Sequence, residues 1–142
     1  MNWFECKVSS EKMMENGMVK KVTESYLVDA LSHAEAEARI ITELEPYIRG
    51  EFIVTSVRRV KYAEVFQNSE LDYWWRANVS FITLDERSGA EKRTNVAMLV
   101  GGNTIEDAID TLHGEMKGTM ADYRITGIKE SNIWDIFVYA GK

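Results

Sequence analysis

"WFECKVS", residues 3–9, recurs as "WWRANVS" at residues 74–80, with Trp3, Val8 and Ser9 falling on Trp74, Val79 and Ser80 at a shift of 71. Both stretches alternate: Phe4, Cys6 and Val8 on one side of a strand, Trp3, Glu5 and Lys7 on the other, because successive strand side chains point to opposite faces. The match extends outward. At a shift of 72, "ENG" (15–17) meets "RSG" (87–89), Lys20-Lys21 meets Lys92-Arg93, and Leu27-Val28 meets Leu99-Val100. The shift is 71 again for Ser32 over Asn103 and Glu35 over Glu106, so one residue is expected to be lost before a helix. Then "FIVTSVR" (52–58) lies over "YRITGIK" (123–129), and "EVF" (64–66) over "DIF" (135–137). Matches in one order with a drift of one residue are the mark of an internal duplication.

Each half reads as ββαβ. Asn16-Gly17 suits a tight turn between two strands. Ser32 with Glu35 forms a capping box opening a helix whose expected stripe is Ala34, Ala38, Ile41, Leu44 and Ile48, ended near Pro46. Asn103 and Glu106 are expected to cap the second helix, with the stripe Ile105, Ala108, Ile109, Leu112 and Met116. The third strand of each half is rich in β-branched residues. The expected fold is α+β: one compact domain, 1–142, made of repeats 1–70 and 71–142, with two helices on one face of antiparallel sheet.

The 142 residues are 45% hydrophobic and 28% charged, a balance that supports a packed core rather than disorder. The apolar runs are shorter than the roughly 18 to 20 residues a membrane span needs, and the start "MNWFECKV" lacks signal-peptide order, so a cytoplasmic location is the expectation. A single cysteine, Cys6, excludes an internal disulfide and cysteine-based zinc sets.

Charge is sorted between elements. Residues 33–48 carry Glu35, Glu37, Glu43 and Glu45 against Arg39, and residues 104–117 carry Glu106, Asp107, Asp110 and Glu115 against Lys117. Together these account for the whole net charge of -6. The strands are locally basic. Lys20, Lys21, Arg58, Arg59, Lys61, Arg76, Lys92 and Arg93, with the aromatic rings of Trp3 and Trp74, form a candidate face for single-stranded nucleic acid, which is held by cations and stacking platforms. Such cations also solvate sheets and protect their edges, and the tryptophans equally suit burial.

Chemistry is not legible. His33 and His113 lack metal-motif partners, Ser9 and Ser80 lack a nucleophile elbow, and "LVGGN" (99–103) is neither phosphate-loop nor dinucleotide motif. The expectation is no catalytic residue, no metal and no cofactor. The leading reading is a non-enzymatic binding protein for single-stranded nucleic acid. Its rival is an accessory or inhibitor module whose acidic helices engage a basic protein partner, and a small hydrolase or transferase comes third.

The strings "MNWFECKV", "KKVTESYLVDALSHAEAEARI", "SFITLDERSGAEKRTNVAMLV" and "MKGTMADY" resemble a family of unknown-function domains from Bacteroidetes bacteria and their phages. The resemblance spans almost the whole chain. It implies a small intracellular protein of bacterial or phage origin and carries no activity with it.

Overall fold

The computed structural model describes residues 2–67, 73–119 and 121–138. The elements run in order β1 Asn2–Met13, β2 Val19–Ala30, α1 His33–Leu44, β3 Phe52–Val60, β4 Glu64–Phe66, β5 Trp74–Leu84, β6 Glu91–Gly101, α2 Ile105–Met116, β7 Asp122–Ser131 and β8 Ile133–Phe137, so that a short strand, β4 or β8, follows each expected ββαβ set. The β1–β2 turn is closed at Gly17, whose φ of +82° is costly for a side-chain-bearing residue. Ser32 caps α1 as expected, its hydroxyl accepting from the Glu35 amide at 3.1 Å. The helix stops at Leu44, two residues before Pro46.

Two expectations about the helices are corrected. α2 is capped by Thr104, not Asn103: the Thr104 hydroxyl accepts from the Asp107 amide at 3.1 Å. The α1 stripe is Ala36, Ile40 and Leu44, while Ala34 and Ala38 are exposed and Ile41 is half-buried. Apolar residues surround most of α1, so composition allows several stripes; the one buried against the sheet answers residue for residue to Ala108, Leu112 and Met116 of α2, 72 positions on. The shift therefore stays at 72 through the helices, and the lost residue falls after them, in the connection to the third strand.

The fold is α+β, with eight strands in two sheets and two helices. The sheets are separate, of order β3-β1-β2-β8 and β4-β6-β5-β7, so the two helices do not share one sheet face. Nor is either sheet purely antiparallel: β8 runs parallel to β2, and β4 parallel to β6. Residues 2–61 with 132–138 form one compact unit and residues 62–131 the other. Both sheets carry a bulge at the same place, between Lys7 and Val8 and between Asn78 and Val79, where Thr55 and Thr126 are the extra residues on the edge strand.

Each unit has its own core. In unit 1, Phe4, Cys6 and Val8 of β1 and Tyr26, Val28 and Ala30 of β2 pack with Ala36, Ile40 and Leu44. In unit 2, Ala77, Val79, Met98 and Val100 pack with Ala108, Leu112 and Met116. Each fully buried large aliphatic side chain stabilises by about 1.5–3 kcal/mol. Asp29 at the end of β2 accepts from the Arg39 guanidinium at 2.7 Å, tying α1 to the sheet. In unit 2 that tie is steric: a Cβ on Gly102 would stand 2.6 Å from the Ala108 amide nitrogen, so α2 approaches the sheet only because residue 102 is glycine. Gly102 of "LVGGN" is thus explained by packing. Among the described residues no helix is long and apolar enough to cross a membrane.

Candidate nucleic-acid interface

Strand alternation sorts unit 2 into two faces. Trp75, Ala77, Val79 and Phe81 of β5 turn toward α2, the Trp75 indole donating to the Gly102 carbonyl at 2.8 Å. Trp74, Arg76, Asn78, Ser80 and Ile82 turn the other way. Residues opposite one another on antiparallel strands share a face, so the register extends this helix-free side across three strands. Arg76 stands between Leu99 and Lys129, Ser80 between Asn95 and Arg124, and Ile82 between Arg93 and Asp122. Arg76, Asn78, Asn95, Arg93, Arg124 and Lys129 are all exposed. They form a polar, cationic strip interrupted by Trp74, Ser80 and Leu99, which are buried on the same side.

No described carboxylate lies within 4.0 Å of Arg76, Arg93, Arg124 or Lys129. The Arg76 guanidinium instead sits 5.9 Å from the centre of the Tyr62 ring, whose negative π face attracts a cation without cancelling its charge. Unit 1 differs at the equivalent place. There Glu5, answering to Arg76, accepts at 3.1 Å from Arg58, which answers to Lys129. One unit holds an ion pair across the strands; the other holds two cations.

The ten residues marked in the sequence are divided between the two units. Trp3, Lys20, Lys21, Arg58, Arg59 and Lys61 belong to unit 1, and Trp74, Arg76, Lys92 and Arg93 to unit 2. Adjacent strand residues face opposite ways, which splits every dibasic pair. Arg59, opposite Phe4, lies on the helix side and donates to the Asn2 side chain at 2.9 Å, while Arg58 lies on the other. Lys92, opposite Thr83, is on the helix side and Arg93 is not. Lys20 and Lys21 stand near the hairpin turn, opposite Lys12 and Glu11. Lys61 follows β3, exposed. Trp3 is half-buried, and Trp74 is only 8% exposed, leaving its ring little surface for a stacking base. Arg124 and Lys129 were missing from that set; placing them on the strip needs the bulge at Thr126, which resets the alternation of β7.

The other reactive side chains are committed to structure. Cys6 is fully buried, and burial, with Glu5 and Glu37 nearby, pushes its thiol up to about 11. Burial likewise pushes Tyr26 up to about 12, helped by Glu24 and Asp135. His33 packs edge-on against Phe4 with ring centres 4.9 Å apart, and His113 Nδ1 shares a 2.8 Å hydrogen bond with the Tyr123 hydroxyl. No three described His, Cys, Asp or Glu side chains are grouped to hold a metal ion.

Residues 2–139 match the model of a family described as a domain of unknown function, DUF4494. The chain belongs to that family. No curated protein and no solved structure matches it. The DUF4494 description carries no ligand or reaction, so a functional reading of this member rests on its own residues.

Proposed function

We propose that this chain is a non-enzymatic binding protein of bacterial or phage origin, built by duplication of a ββαβ unit, that holds single-stranded nucleic acid on the helix-free side of unit 2. The observation that carries the reading is the pair Arg76 and Lys129, directly opposite across β5 and β7 with no described carboxylate beside them. Like charges in that position destabilise a sheet by a few tenths of a kcal/mol to about 1 kcal/mol, so a bound anion would relieve a standing cost. Arg124 and Arg93 continue the cations down the strip, and Asn78 and Asn95 supply amide donors and acceptors suited to base edges.

The test is fluorescence anisotropy with labelled single-stranded DNA and RNA across a salt series. Saturable binding should weaken steeply with salt, because each phosphate contact releases counterions. Arg76→Gln and Lys129→Gln should each lower the salt slope by about 0.7. Absence of binding at low salt, to single strands or duplexes, would leave the rival reading in front. In that reading the carboxylates of both helices, Glu37 and Glu43 on α1 and Asp107 and Asp110 on α2, dock a basic protein.

A further inference from the structure

Unit 1 contains a cleft of about 490 Å³ where the connection after α1 meets the far end of β1 and the start of β2. Its lining holds charges of both signs: Lys21 and Arg49 on one hand, Glu11 and Glu51 on the other. None of the four has a described ion partner within 4.0 Å. For Glu11 and Lys21 this is notable, because they stand directly opposite on β1 and β2, where oppositely charged side chains ordinarily close on each other. A neighbouring pair, Lys12 with Glu24, does so at 2.7 Å.

Two further features belong to the same cleft. Ser9 lines it, is 5% exposed, and its hydroxyl has no hydrogen-bond partner. A buried unsatisfied hydroxyl costs about 1–3 kcal/mol unless something supplies the bond. Ile53, 67% exposed, adds an apolar surface to the lining.

We propose that this cleft binds a free α-amino acid with an apolar side chain. Arg49 and Lys21 hold the carboxylate, Glu11 and Glu51 the ammonium, the Ser9 hydroxyl completes the polar contacts, and the side chain lies on Ile53. A ligand with one charge leaves half of the lining unanswered; a zwitterion answers all of it. The cleft is made of residues of unit 1, and the cationic strip of residues of unit 2.

The experiment is a ¹H–¹⁵N NMR titration of the full chain with L-leucine. Its probes for each half of the recognition are 4-methylpentanoate, which is leucine without its ammonium, 3-methylbutylamine, which is leucine without its carboxylate, and inorganic phosphate. L-leucine should shift the amides of Ser9, Lys21 and Gly50 saturably with a Kd of about 1 mM or tighter, and each single-charge probe should bind at least about tenfold more weakly. Arg49→Gln and Glu51→Gln alter exposed side chains and should each weaken leucine about tenfold with the remaining spectrum unchanged. Ser9→Ala should weaken leucine while leaving the melting temperature level or higher, since it removes an unsatisfied hydroxyl. Ser80→Ala, at the equivalent buried position of unit 2, should leave leucine binding alone. Equal response to phosphate or 4-methylpentanoate would make the cleft a simple anion site and overturn the proposal. So would the lack of a saturable shift with L-leucine.

Discussion

Replacing Lys129 by glutamate separates a structural from a functional account of the cationic strip, because it drives stability and binding in opposite directions. The substitution places a carboxylate opposite Arg76 and so recreates in unit 2 the arrangement unit 1 already has, Glu5 against Arg58 at 3.1 Å. Two terms favour the folded state: a cross-strand repulsion is removed and an attraction is formed, each about 0.2–1 kcal/mol. The Arg58 side chain is 67% exposed, so the unit 1 pair that serves as template is largely screened by water and the lower half of that range applies. The expected gain is about 0.5–1 kcal/mol, which raises the melting temperature by about 1–4 °C in a chain of this size.

Binding moves the other way. A unit charge about 4 Å from a phosphate is worth about 1 kcal/mol in water, and Lys129→Glu changes the charge by two, so affinity at low salt should fall by about 2 kcal/mol, or roughly thirtyfold. Differential scanning fluorimetry and single-strand anisotropy on the same sample read both quantities. A stabilised variant that still binds as tightly would remove the strip from the interface. A destabilised variant would refute the argument that Arg76 and Lys129 repel.

Other outcomes follow from the packing. Ile133→Ala, deleting a 5% exposed side chain of β8 where it begins its pairing with β2, should cost about 2–4 kcal/mol, read by urea denaturation. Gly102→Ala forces a methyl group to within 2.6 Å of the Ala108 amide and should cost about 1–3 kcal/mol in the same assay, whereas Gly114→Ala, with open space around its Cβ, should be neutral or stabilising. The folded thiol of Cys6 lies at about 11, above its value in the unfolded chain, so its contribution to stability is whole below pH about 9 and is lost as pH rises through about 11. Thiol labelling near pH 8 should accordingly run at the rate of opening and not at the rate of an exposed cysteine.

The elements were legible because their signals are local. Alternation gives β1 and β5, Asn16-Gly17 gives the first turn, and Ser32 with Glu35 gives the start of α1. The second cap was misread by one residue because Asn103 and Thr104 are both competent caps, and only the hydrogen bond to Asp107 decides between them. The site was less legible. Whether a cation faces the helix or the opposite side depends on register, and a bulge resets it; Arg124 reaches the strip only because Thr126 is the extra residue opposite Asn78 and Val79. Trp74 shows the same limit in reverse. Its face could be read from the alternation, but not its burial to 8% exposure.

The matched strings "EVF" and "DIF" contain a topological fact that the strings themselves could not display. β4 and β8 carry these two strings, yet β4 pairs with β6 and β8 with β2. Each half of the chain therefore supplies an edge strand to the sheet built mainly by the other. The two closures differ in length: Leu27 meets Ile136, 109 positions apart, and Val65 meets Leu99, 34 apart. Loop-closure entropy grows with the logarithm of length, so the longer closure costs about 1 kcal/mol more from an unfolded chain. That difference shrinks once residues 62–131 have folded, because unit 2 is a continuous stretch and β8 begins two residues after β7 ends. Folding of unit 2 thus shortens the effective loop that unit 1 must close, a bias that comes from connectivity alone.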